Sequence, residues 1–245
     1  MYLHVKLNAF LFINSFEVYM GILNGQVVSF ISQSGDQGKS VLAQAFAVYA
    51  NVSGLNTSLV CLDREHRSSC DWADDRVEYG IDPIVNVVRA VSVKDAVKQY
   101  GAEELYILDT PSRASSSLYE IEKISDVIVL PTTPDEKNLR LTLTVVDKLL
   151  NAGADINKII ICINRLVFTT KASAVKTRVE TLNYLHNYDF NGQKVNVCNQ
   201  FIPEYISYKN ALKQRLTMLE TAHPKLNQYT TNLLDAIIEV LNNVQ

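Results

Sequence analysis

The residues of this chain best equipped for chemistry lie together in Ser32-Gln33-Ser34-Gly35-Asp36-Gln37-Gly38-Lys39-Ser40. An apolar run of β type, Val27-Val28-Ser29-Phe30-Ile31, precedes them, and a helix-type run from Val41 to Tyr49 follows. Strand, glycine-containing turn, Gly-Lys-Ser, helix is the layout of a phosphate-binding loop. Backbone N–H groups at a helix N-terminus have no intrahelical partner, so they can hold phosphate oxygens. Glycine lets the backbone come close to such a ligand and adopt positive φ. On this reading Gly35, Asp36, Gln37, Gly38, Lys39, Ser40 and Val41 form the cofactor-binding stretch. Lys39 would neutralise the β- and γ-phosphates of ATP, and the Ser40 hydroxyl would ligate Mg²⁺. The usual pattern has a further glycine where this chain has Gln33. The alternative is a Gly-Lys-Ser tripeptide that begins a helix without binding anything.

Two carboxylates follow apolar strand-like runs: Asp63 after Leu59-Val60-Cys61-Leu62, and Asp109 in Tyr106-Ile107-Leu108-Asp109-Thr110-Pro111. In open α/β sheets ligands bind at the carboxyl ends of strands. An aspartate there suits a Mg²⁺ ligand, its supporting group or a water-orienting group. The competing role for each is a turn residue or helix cap. Lys39, Asp63 and Asp109 are the catalytic candidates, with Ser40 and Asp109 toward a metal.

The elements that must position these residues can be read from periodicity. Strands are expected at 27–31, 56–62, 84–88, 105–108, 127–130, 158–163 and 194–198, the fifth stopped by Pro131 and Pro134. Helices are expected at 41–49, 92–100 with Ser92 as N-cap, 115–125, 135–151, 171–187, 203–220 and 224–243. In 135–151 the apolar Leu139, Leu143, Val146 and Leu150 recur at helical spacing. Uniformly apolar strands alternating with helices predict an α/β fold, a mostly parallel sheet with helices on both faces.

At 245 residues the chain suits one such domain, placed at 26–245. Residues 1–25 read as an extension of unknown role: no small-residue cleavage site marks a signal peptide. A net charge of −3 means that any nucleic-acid contact must come from a local basic patch. Cys61, Cys70, Cys162 and Cys198 show no C-x-x-C spacing and read as reduced residues of a cytoplasmic protein. No apolar run has the length of a membrane span.

On these motifs the chain resembles the ParA/MinD family of partition ATPases, whose loop reads Lys-Gly-Gly-x-Gly-Lys-Thr/Ser. Ser34 to Ser40 aligns with it without gaps, which accounts for Gln33. Asp63 in Leu-Asp-Arg-Glu-His resembles the family's Asp-Pro-Gln strand end, where the aspartate positions the attacking water. Trp72 lies where small members often carry a tryptophan. Asp109-Thr110-Pro111 resembles the switch segment, Val129 to Pro134 the strand and Pro-x-x-Pro turn, and Ile202-Pro203 the late motif beside the adenine site. The resemblance covers roughly residues 26–243, without an N-terminal DNA-binding helix-turn-helix. It implies a P-loop ATPase with ATP and Mg²⁺, an ATP-dependent homodimer, non-specific DNA on the nucleoid and a cargo-bound adaptor protein that triggers hydrolysis.

One position departs from the family. Its first lysine, which reaches the partner's nucleotide across a sandwich dimer, is Ser34 here. That change is associated with the family's carboxysome-positioning branch. Lys176 or Lys171, at the start of the helix after Ile159 to Arg165, is the expected substitute cation. Late basic residues Lys209, Lys213 and Arg215 are the DNA-binding candidates, with Lys209 and Lys213 sharing a helix face. Residues 233–244 carry Asp235 and Glu239 but no Lys or Arg, unlike a basic membrane anchor. The alternatives are plasmid or chromosome partition, a non-hydrolysing nucleotide-binding scaffold, and a small-molecule kinase, which lacks its arginine-rich lid here.

Overall fold

The computed structural model describes residues 25–63, 67–112, 117–167 and 170–244, so residues 1–24 of the N-terminal extension lie outside the described residues. Seven parallel strands form one sheet in the order β3-β2-β4-β1-β5-β6-β7. They are β1 (Gln26–Phe30), β2 (Thr57–Cys61), β3 (Asn86–Arg89), β4 (Leu105–Asp109), β5 (Val127–Thr132), β6 (Ile159–Leu166) and β7 (Asn196–Pro203). The helices between and after them are α1 (Lys39–Val52), α2 (Ser68–Tyr79), α3 (Val93–Lys98), α4 (Leu118–Ile124), α5 (Glu136–Asn151), α6 (Lys171–Asn187), α7 (Ile206–Lys213) and α8 (Pro224–Asn243).

Side chains alternate across each strand, so the sheet buries an apolar layer on both faces. Val28 and Phe30 join Leu42, Phe46, Trp72, Leu234 and Ile237 on the face of α1 and α8. Val27 and Ile31 join Ile121, Leu143, Val146 and Leu185 on the face of α4 and α5. From β1 the chain crosses to β2 and β3 on one side of the sheet, and from β4, the neighbour of β1, it crosses back to β5, β6 and β7 on the other. This change of direction opens the central crevice in which ligands of such sheets bind, and the loop 32–38 emerges into it.

Three expectations need correction. Pro131 does not stop β5, which runs through it to Thr132, paired with Ile163 of β6. The β1–β5 pairing ends at Phe30 and Val129, so no β1 carbonyl waits for the N–H that proline lacks. The short strand expected at 194–198 is β7, running to Pro203. The helix expected at 203–220 is only α7, because Arg215 takes a left-handed φ of 62° and ends it. Other expectations hold: Ser92 caps α3 by accepting from Asp95 N, and α6 spans the expected residues behind a Thr170–Ser173 capping box. Of the helix expected at 115–125, residues 115 and 116 lie outside the described residues, and α4 accounts for the rest. All four cysteines are buried and free. No helix among the described residues is long and apolar enough to cross a membrane.

Candidate functional site

Gly38 is the N-cap of α1, at φ 83° and ψ 20°, a left-handed conformation that glycine adopts without strain. Its α-carbon faces Asn164 so closely that an added Cβ would meet Nδ2 at 2.0 Å. Asn164 comes from β6, is buried, and donates through Nδ2 to the Gln37 carbonyl at 2.8 Å. Asp36 is also left-handed, at φ 60°. The first turn of α1 has neither a capping side chain nor a carboxylate. Its outward N–H groups and positive helix end therefore suit an anion.

Lys39 and Ser40 begin α1 and reach Asp109 at the end of β4. Lys39 Nζ lies 2.5 Å from Asp109 Oδ1, with side-chain exposures of 5% and 0%. Ser40 Oγ donates to the same oxygen at 3.0 Å. Ser69, from α2, donates to the other carboxylate oxygen, Oδ2, at 2.6 Å. Such added hydrogen bonds are what offset the desolvation of a buried ion pair. Thr110 follows and donates to the Phe30 carbonyl at 2.8 Å, tying the Asp-Thr-Pro segment to β1.

Asp63 is buried two residues past the end of β2. It stands beside Asp109, because Cys61 pairs in register with Asp109 and Leu62 N donates to the Asp109 carbonyl. Residues 64–66, including the glutamate and histidine of the Leu-Asp-Arg-Glu-His stretch, lie outside the described residues. Thus the sheet brings Gly35 to Val41, Asp63 and Asp109 to one end. Pro203 is at that same end, the last residue of β7, opposite Leu166 of β6. Trp72 is buried on α2 and donates to the Arg215 carbonyl.

The residues fit a nucleotide with Mg²⁺ in donor chemistry. Ser40 Oγ and Asp109 Oδ1 are hard oxygen donors 3.0 Å apart, and Mg²⁺ is held by few protein oxygens beside phosphates and water. No group of three or more His, Cys, Asp or Glu residues able to hold a metal occurs among the described residues.

Arg165, absent from the sequence-based candidates, touches the loop. Its guanidinium donates to the Asp36 carbonyl at 2.9 Å and pairs with Glu204 at 3.4 Å. Lys209 also pairs with Glu204, at 2.5 Å. The Lys209 ammonium, opposing desolvation and aided by Arg165, holds the Glu204 carboxyl below its usual range. Gly35, Asp36, Pro134, Asp135, Arg165 and Glu204 line part of a cavity of ≈ 480 Å³ in front of the loop. The signal available for Asn164 and Arg165 was the abrupt polar break after Ile159 to Ile163. Ser69 gave no signal at all.

The remaining candidates lie apart from Lys39 and Asp109. Lys176, on α6, pairs with Glu180 at 3.9 Å, both highly exposed; the Lys171 side chain lies outside the described residues. Lys209 and Lys213 are exposed on α7. Arg215 is committed to structure: it pairs with Asp75 at 2.5 Å, and its carbonyl accepts from Trp72 and Arg76. Arg76 in turn forms a buried two-pronged pair with Glu220, both contacts 3.0 Å.

The sequence matches no protein-family model and no curated protein. Solved structures do match. Apo McdA of Cyanothece is 15% identical at a TM-score of 0.61, covering 86% of this chain and 98% of that one. The septum site-determining protein MinD of Pyrococcus horikoshii OT3, complexed with Mg-ADP, is 16% identical at 0.59, covering 86% and 94%. A ParA family ATPase from Chlorobium tepidum TLS is 16% identical at 0.60, covering 85% and 98%. The chain therefore has the MinD/ParA P-loop fold, a parallel seven-stranded sheet flanked by helices with the Gly38-Lys39-Ser40 loop at its centre.

Proposed function

We propose that this chain is a Mg²⁺-dependent, ParA-type ATPase. Its ATP-bound homodimer would hold non-specific DNA in the nucleoid and position or segregate a cargo, with carboxysomes the favoured cargo over a plasmid or chromosome. A cargo-bound adaptor would stimulate hydrolysis. The observation that carries the reading is the convergence of Gly38, Lys39, Ser40 and Asp109 at the centre of a MinD/ParA-type sheet. Solved neighbours named for Mg-ADP, for McdA and for the ParA family support it.

Backbone N–H groups from Gly35 to Val41 would hold the phosphates, and Lys39 would exchange its Asp109 partner for phosphate oxygens. Ser40 and Asp109 would ligate Mg²⁺, which when bound supplies charge neutralisation of the phosphates. Asp63 would orient the attacking water. Pro203 would stand beside the adenine. Lys176, 76% exposed and only loosely paired, would be the cation offered to a partner subunit's phosphates in place of Ser34. Arg165 adds a cation at the loop itself.

Two variants test this. Lys39→Ala removes the one cation within the loop and should weaken ATP binding about 10- to 100-fold, the cost of one lost charge-assisted contact. Asp63→Ala should keep ATP binding and lose phosphate release. Equal ATP affinity in Lys39→Ala and wild type overturns the phosphate-loop reading. Wild-type protein that binds ATP but releases no phosphate is a scaffold rather than an ATPase.

A further inference from the structure

Asp109 has two carboxylate oxygens with different surroundings. Oδ1 faces Lys39 and Ser40, on the loop side. Oδ2 faces away from them and accepts from Ser69 Oγ at 2.6 Å. Ser69 is the second residue of α2 and fully buried. A serine in a first helical turn ordinarily bonds its own backbone; this one crosses to another strand in a short, charge-assisted hydrogen bond. Gln44 accounts for the direction of that bond. It stands one turn beyond Ser40 on α1, is buried, and donates through Nε2 to Ser69 Oγ at 3.2 Å. With a donor occupying a lone pair of Ser69, the hydroxyl proton is left for Asp109.

We propose that Ser69, oriented by Gln44, is a positioning residue that fixes the Asp109 carboxylate with Oδ1 toward the metal and so sets the affinity for Mg²⁺. The proposal rests on the reading that Ser40 and Asp109 hold Mg²⁺. Rotation about the last side-chain bond of an aspartate is soft. A bond to Oδ2 pins that rotation, and Ser40 on Oδ1 pins it from the other side. The chain also links two parts of the site. The α2 helix starts just past Asp63, whose carbonyl accepts from Arg67 N at 3.2 Å. A hydroxyl near the start of that helix therefore ties the Asp63 segment to the metal carboxylate.

The experiment titrates Mn²⁺, as a spectroscopic substitute for Mg²⁺, into the full chain with a non-hydrolysable ATP analogue, following free Mn²⁺ by electron paramagnetic resonance. Ser69→Ala should weaken Mn²⁺ binding about 10- to 100-fold, the range for lost supporting contacts around a metal. Affinity for the analogue in EDTA should stay at the wild-type value, and Ser69→Thr should restore the metal. Gln44→Ala should shift Mn²⁺ binding the same way by less, and adding it to Ser69→Ala should change nothing more, because Gln44 acts through that hydroxyl. If Ser69→Ala does not fold, Gln44→Ala carries the test. Wild-type Mn²⁺ affinity in a folded Ser69→Ala protein, even with a lowered Tm, overturns the proposal alone. A wild-type protein that binds no analogue overturns the nucleotide reading and this proposal with it.

Discussion

Asn164 closes on Gly38 from the end of β6, its amide nitrogen 2.8 Å from the Gln37 carbonyl and 2.0 Å from where a Cβ on Gly38 would stand. The contact fixes the loop against β6. Only a residue without a side chain can pass beneath that amide. The same residue supplies the left-handed turn into the helix.

Gly38→Ala should therefore be costly twice over. Left-handed backbone costs an alanine about 1–2 kcal/mol, and forcing a methyl into a packed contact costs roughly 1–3 kcal/mol. Chemical denaturation should show a loss of that combined order. Asn164→Ala alone should destabilise by losing the Gln37 bond. Combined with Gly38→Ala it should cost less than the sum of the two, since the clash partner is gone. Additive losses would show that the two residues do not press on each other.

On the proposed DNA surface, Lys213 is the informative residue. Lys209 is already paired with Glu204 and Arg215 with Asp75, so reversing either charge also disturbs the fold. Lys213→Glu should weaken ATP-dependent binding to DNA of any sequence and lower the slope of log affinity against log salt by about 1. ATP binding without DNA should be unchanged. An unaltered salt slope would remove Lys213 from the surface.

Asp235 on α8 accepts a hydrogen bond from Tyr49 of α1 at 2.5 Å. Burial pushes the Asp235 carboxyl up; the Tyr49 bond opposes this, and neighbouring Glu239 adds to it. A carboxyl whose pKa is raised on folding binds its proton more tightly in the native state. Its contribution is thus most favourable at low pH and declines as pH rises through the ordinary aspartate range toward the raised value. Asp235→Asn keeps an acceptor for Tyr49 and removes the charge. The variant should be at least as stable as wild type at neutral pH and lack this part of the decline, read from Tm against pH. A variant less stable at neutral pH would show that the charged Tyr49–Asp235 bond outweighs desolvation.

What the sequence determined by itself was local and periodic. Apolar runs set the parallel strands, helical spacing set α5, Ser92 marked a helix start, and Gly38-Lys39-Ser40 marked the turn from strand into helix. Each depends on neighbours a few residues away. Tertiary structure decided what depends on strand order. Placing β4 beside β1 gave Lys39 its buried partner Asp109, 70 residues distant. Placing β6 two strands from β1 brought Asn164 and Arg165 onto the loop, where sequence reasoning had looked to Lys176. The packing of α2 against α1 set Ser69 on Asp109, and the folding back of residues 215–220 committed Arg215 to Asp75. Serine and arginine carry no periodic signal. Their roles come from which strand ends the sheet order makes neighbours, and no spacing along the chain encodes that.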